Sequence, residues 1–202
     1  MQLVEYSFQN LLLCRAEECS KSNQEIQMIL VTGATGNNGL EVLKRLASQN
    51  VQARAMVRDA SGTRERDRNR AKAIADLGIE MVEADFDRSE TLLSALAGVD
   101  RAFLVTNSTE QVEAQQLAFV EAAKQSGVKR IVKLSQFAAN ADSPVRFLRY
   151  HAAVESAIQA TQMAYTFLRP NLFMQGLLNF RSLIVEQNTY AHEIRNPCKD
   201  KC

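Results

Sequence analysis

The chain has 202 residues, of which 46% are hydrophobic and 23% charged, and its net charge is +1. That length suits one α/β domain and is short for two. The near-zero charge argues against nucleic acid or an anionic membrane as the main partner, and no apolar run is long enough to span a bilayer.

The four cysteines, Cys14, Cys19, Cys198 and Cys202, lie near the two ends, and no C-x-x-C occurs. They read as free thiols in a reducing, cytoplasmic compartment, with a disulfide between the ends as the lesser alternative. Residues 1–27 carry one apolar patch, Leu11–Cys14. Glu5 precedes it and Arg15 follows, which does not suit a signal peptide. Glu5, Glu17, Glu18 and Glu25 do not suit a transit peptide. The segment is expected to be an extension ahead of a domain spanning 28–185.

Met28–Val31 is a short unbroken apolar run, as a buried parallel strand requires. Gly33-Ala34-Thr35-Gly36-Asn37-Asn38-Gly39 follows. Gly33 allows a sharp turn out of the strand, Gly36 leaves room for a pyrophosphate, and Gly39 allows close packing of the next helix. Leu40, Val42, Leu43 and Leu46 give that helix an apolar face. Its first N–H groups point back at the turn, where an anion can accept from them. Val51–Val57 is a second strand and completes a β-α-β unit. The spacing is G-x-x-G-x-x-G rather than the commoner G-x-G-x-x-G, but the strand–turn–helix–strand context is the one a dinucleotide site needs.

Arg58 stands at the end of the second strand. A guanidinium pairs well with a phosphate dianion there, whereas an acid would select a ribose hydroxyl. The alternating charges from Arg64 to Lys72 read mostly as a solvated helix face, with Ala71, Ile74, Ala75 and Leu77 at helical spacing. Glu80–Ala84 is a third strand. Ser89 is the expected N-cap of a helix Glu90–Leu96 that Gly98 closes. Arg101–Thr106 is a fourth strand, Glu110–Ser126 a helix closed by Gly127, and Lys129–Ser135 a fifth strand. Val145–Gln162 is helical, with Phe147, Leu148, Ala152, Val154, Ile158 and Ala160 as its expected buried side. Ala164–Leu168 is a sixth strand, and Leu172–Val185 is helical again. Residues 186–202 are polar and aperiodic and read as a tail. Six strands alternating with helices predict an α/β, doubly wound parallel sheet of strand order 3-2-1-4-5-6, a Rossmann fold.

Three features then line up: the glycine turn, Asp85-Phe86 after the third strand, and Tyr165-Thr-Phe-Leu-Arg169-Pro-Asn-Leu-Phe173 after the sixth. Together with Phe119–Ser135 they resemble the NmrA-like, atypical branch of the short-chain dehydrogenase/reductase superfamily, over roughly residues 28 to 185. The resemblance implies an NADP(H) site at Gly33, Thr35, Gly36, Asn37, Asn38 and Gly39. It also implies Arg58 on the 2′-phosphate, Asp85 and Phe86 beside the adenine, and Val105, Thr106 and Asn107 beside the nicotinamide ribose. The plain alternatives are an exposed arginine at 58 and a capping acid with a core aromatic at 85–86.

The superfamily's catalytic Tyr-x-x-x-Lys is missing. Phe147 falls at the tyrosine position and His151 at the lysine position, while Ser135 ends the fifth strand where an active-site serine would lie. His151 and Ser135 are therefore the candidate catalytic residues, and the unperturbed pKa of histidine suits proton transfer. Their plain alternatives are a histidine on a polar helix edge and a strand-end hydroxyl bonded to backbone.

The resemblance implies an NADPH-dependent reductase acting on a quinone-like or other conjugated small-molecule electrophile, with no metal, nucleic acid or membrane involved. The alternative is a redox-sensing regulator that binds NADP(H) and signals to a protein partner. Members of the family continue past the point where the pattern stops here, near Val185. The chain is thus also read as a truncated or altered-end product that keeps cofactor binding.

Overall fold

The computed structural model describes residues 27–60, 65–171, 181 and 185. The Leu11–Cys14 patch, the four cysteines, most of the Leu172–Val185 segment and the tail lie outside the described residues. β1 (Ile29–Val31), β2 (Ala53–Val57), β3 (Glu80–Glu83), β4 (Arg101–Leu104), β5 (Arg130–Leu134) and β6 (Ala164–Leu168) form one sheet in the order β3-β2-β1-β4-β5-β6. Every pairing is parallel, with Val31 opposite both Ala55 and Phe103. The unit that holds this sheet ends at Arg169.

Between the strands run α1 (Asn37–Ser48), α2 (Glu65–Asp76), α3 (Ser89–Leu96), α4 (Val112–Gln125) and α5 (Arg146–Gln159). Side chains alternate across the sheet, so each strand feeds two cores. Leu30, Ala102, Leu104 and Ile131 pack with Leu92, Leu96, Phe119, Val120, Val154 and Ile158, which come from α3, α4 and α5. Ile29, Val31, Phe103 and Val132 pack with Leu40, Leu43, Leu46 and Ile74 from α1 and α2. A fully buried leucine or isoleucine contributes roughly 1.5–3 kcal/mol, so these two layers carry the fold.

Several local expectations need correction. α3 begins at Ser89 itself, with Arg88 at the N-cap and no side-chain cap. Thr91 instead ties the loop ahead of α3 to its first turn: its hydroxyl accepts the Asp85 N–H (3.0 Å) and donates to the Arg88 carbonyl (2.7 Å). The other end of α3 is held from the sheet, where Arg54 on β2 donates to the carbonyls of Ala95 (2.9 Å) and Ala97 (2.8 Å). A cation there also complements the helix dipole. Ala75 is exposed while Ala73 is half-buried, because α2 presents a narrower stripe than its spacing suggested. α5 stops at Gln159, which leaves Ala160 exposed.

Candidate functional site

The glycine turn sits at the switch point where β1 is flanked by β2 on one side and β4 on the other. Gly33 takes φ +57°, a conformation that side chains disfavour. A Cβ there would also lie 2.9 Å from the Val105 carbonyl. Gly36 accepts the first helical bond from Leu40 (3.1 Å) and turns back on Gly33 through its own N–H (2.8 Å). The N–H groups of Asn37, Asn38 and Gly39 precede the first helical donor, Leu40, and have no place in the helical ladder. Gly36, Asn37 and Asn38 are exposed, and Gly39 is buried. A Cβ on Gly39 would overlap the Gly33 carbonyl and the Ala34 backbone. The third glycine thus seats α1 on the turn rather than on the sheet. The result is an open, donor-lined cradle that fits a pyrophosphate.

Two further residues hold this cradle, and neither stood out in the sequence. Thr32 is wholly buried; its hydroxyl donates to the Val105 carbonyl (2.8 Å) and accepts the Val105 N–H (2.8 Å). That clasp fixes the end of β4 against the end of β1. Arg70, on the helix read as a solvated face, donates to the side-chain oxygen of Asn37 (2.7 Å) and so braces the start of α1.

The remaining cofactor candidates divide. Arg58 is exposed at the end of β2. Glu83, at the end of the neighbouring β3, accepts the Ala60 N–H (2.8 Å) and fixes the path of the chain just past it. Val105, Thr106 and Asn107 leave β4 beside the cradle, and Thr106 accepts a hydrogen bond from buried Gln116 (2.6 Å). Phe86 packs against Phe119 with ring centres 5.8 Å apart, and the Asp85 carboxylate accepts the Asp87 N–H (3.1 Å). A turn-forming acid and a core-packed aromatic are what these two side chains present.

His151 and Ser135 do not stand alone. Both belong to a buried polar cluster on the α5 side of the sheet, and the cluster includes Lys133, which the sequence reading passed over. Lys133 is wholly buried in β5, and its Nζ lies 2.8 Å from His151 Nδ1. Ser135 donates its hydroxyl to Glu155 Oε1 (2.5 Å). Arg169 closes the other side of Glu155 through Nε to Oε1 (3.0 Å) and Nη2 to Oε2. A lysine between the apolar residues Val132 and Leu134 of an interior strand was the available signal, because both faces of a central parallel strand are buried.

The electrostatics follow from burial. Lys133 is pushed down to about 8, chiefly by desolvation, with the Glu155 charge opposing. His151 is pushed down to about 4 by desolvation and by the Lys133 charge. The histidine is therefore neutral near pH 7, and the expectation of an unperturbed imidazole is corrected. Burial raises the Glu155 carboxyl, but bonds from Arg169 and Ser135 and the charges of Arg169 and Lys133 outweigh it and leave the group below its ordinary value. Phe147 meets the His151 ring edge-on at 4.8 Å and brings no hydroxyl.

A pH prediction follows. Between about 6.5 and 4 the unfolded chain binds a proton at position 151 that the folded chain refuses. Stability present above pH 6.5 is therefore lost as pH falls toward 4, and Glu155, also depressed, adds loss of the same sign at the acid end. After solvent screening the His151 share is on the order of 1–2 kcal/mol. Urea unfolding of the unmutated chain and of His151→Gln at pH 7 and pH 5 measures it. An identical pH dependence in both would refute the assignment.

A model of the NmrA-like family matches residues 25–202. The chain belongs to the NmrA-like family. It is 35% identical over 163 residues to an NAD(P)H azoreductase of Xenophilus azovorans, covering 81% of this chain and 54% of that protein. It is 31% identical over 169 residues to quinone oxidoreductase 2 of Escherichia coli (strain K12), covering 81% and 55%. Among solved structures, the Citrobacter sp. triphenylmethane reductase complexed with NADP(H) superimposes with a TM-score of 0.68 at 28% identity, covering 79% of this chain and 55% of that one. The chain thus spans about half the length of these relatives. NmrA-like membership agrees with the Rossmann order of the sheet, and these relatives are NAD(P)H-dependent reductases or structures holding NADP(H). No helix of the described residues is long and apolar enough to cross a membrane.

Proposed function

We propose that this NmrA-like chain binds NADPH and serves a reductase that passes hydride to a quinone-like or otherwise conjugated electrophile. The observation that carries this reading is the open glycine cradle at the β1–β4 switch point, flanked by exposed Arg58. The relatives add the acceptor class: azo, quinone and triphenylmethane compounds share conjugated systems able to take up a hydride. NADPH supplies that hydride when bound. The N–H groups of Asn37, Asn38 and Gly39 would hold the pyrophosphate, and Arg58 the 2′-phosphate. Thr32 keeps the Val105–Asn107 loop in register with the cradle. Gln116 links that loop to the His151 side of the sheet.

A second reading rests on Phe147, which leaves the superfamily's usual proton donor without a hydroxyl: a protein that binds NADP(H) and signals without turnover. One experiment separates the two. Nicotinamide fluorescence is titrated with NADPH and NADH, and NADPH oxidation is followed with a panel of quinones and azo compounds. NADPH is expected to bind more tightly than NADH, and to be consumed. Arg58→Ala should narrow the gap by about 1–3 kcal/mol. Equal affinities in the unmutated chain would remove Arg58 from cofactor choice, and binding without oxidation would favour the sensor.

A further inference from the structure

An apolar side chain would fill the Lys133 position without the cost of desolvating an ammonium. The groups around it show what the ammonium does instead. β4 and β6 place Leu104 and Phe167 in register with it, and neither titrates. Its own strand offers the Leu134 carbonyl at 3.3 Å. From α5 come His151 Nδ1 at 2.8 Å and the Glu155 carboxylate, itself held by Ser135 and Arg169. An ammonium has three hydrogens and no lone pair, so it can only donate to Nδ1. A neutral imidazole that accepts at Nδ1 must carry its own hydrogen on Nε2.

That Nε2–H is buried and has no acceptor among the described residues. His151 lines a shallow depression between α4 and α5 with Val112, Glu113, Gln116, Tyr150 and Val154. Gln116 also holds Thr106, so the depression adjoins the loop that leaves the cradle. We propose that Lys133 is a positioning residue that locks His151 as an Nε2–H donor, aimed into this depression at an electronegative atom of the acceptor. The use of the donor rests on the reductase reading above; the locking does not. Nε2 has no exposed area in the free protein, so the lining side chains must part as a carbonyl oxygen or azo nitrogen arrives.

The chain has two histidines, His151 and His192, so imidazole 15N spectra of the full chain are readable, with His151→Gln assigning the signals. The unmutated protein is expected to show His151 as the single Nε2–H tautomer, unchanged between pH 7 and pH 6, where Lys133 is an ammonium and His151 is neutral. Lys133→Met should lose that single tautomer. It should also lower quinone turnover by about tenfold or more, with NADPH affinity within about twofold because the cradle is untouched. A Nδ1–H tautomer or an imidazolium in the unmutated protein at pH 7 would overturn the proposal, and so would a Lys133→Met protein that keeps the single Nε2–H form. If Lys133→Met does not fold, the unmutated spectrum decides alone. Absence of any turnover in the unmutated chain would overturn the reductase reading, while the spectra would still decide the role of Lys133.

Discussion

Gly39→Ala is expected to lose both nucleotide binding and fold stability. The added methyl would overlap the Gly33 carbonyl and crowd the Ala34 backbone at 2.9 Å, and backbone cannot rotate aside as a flexible side chain can. α1 must lift off the turn, which breaks the packing of Leu40 and Leu43 against β1 and β2. Overpacking of this kind costs about 1–3 kcal/mol, and displacement of a helix puts the value at the upper end. Gly36 offers the contrast. Its φ is −78°, open to any residue, and a Cβ there would meet only the Gly33 carbonyl, at 3.0 Å. Gly36→Val should therefore keep most of the stability and still lose NADPH, because its side chain would occupy the pyrophosphate position. Urea midpoints and NADPH titrations of the two variants test the pair. A Gly39→Ala protein as stable as the unmutated chain would contradict the close seating of α1. Normal NADPH binding by Gly36→Val would move the site elsewhere.

Glu155→Ala should destabilise the domain by about 3 kcal/mol. The carboxylate is buried, accepts from Ser135 and from two nitrogens of Arg169, and is the nearby anion that favours the buried Lys133 ammonium. Its removal strips one partner from each and leaves a hydroxyl and an ammonium uncompensated in the interior. Arg169 is half-exposed and recovers part of its loss from water. Glu155→Gln keeps the shape and an acceptor, so it should cost less, about half as much. Chemical denaturation of both variants at pH 7 is the measurement. A cost below about 1 kcal/mol for Glu155→Ala would mean that the cluster does not hold α5 to the sheet.

The same cluster marks how far the sequence could be read. The Tyr165–Phe173 motif pointed to a family, but what Arg169 does within it became visible only once β6 ended beside α5. Ser135 looked like a candidate catalytic serine or a strand-end hydroxyl bonded to backbone, and its proton is instead committed to the Glu155 side chain. Arg70 looked like one of several solvated charges, and only the packing of α2 on α1 brings it to Asn37.

What the amino-acid order determined by itself is what local chemistry decides. Short β-branched and apolar runs made parallel strands, helical spacing made the covering helices, and glycines at 33 and 39 made a turn that few other residues would permit. Those features sufficed for the strand order and for the position of the glycine turn at its switch point, because crossover handedness leaves few alternatives. The tertiary structure alone decided which polar side chains meet. Thr32 and Val105 are 73 positions apart, Ser135 and Glu155 are 20, and Lys133 and His151 are 18. The pairings depend on which helix covers which strand, and at what register. A buried ammonium and a neutral histidine are products of that covering, since desolvation is a property of the packed interior and of no single residue.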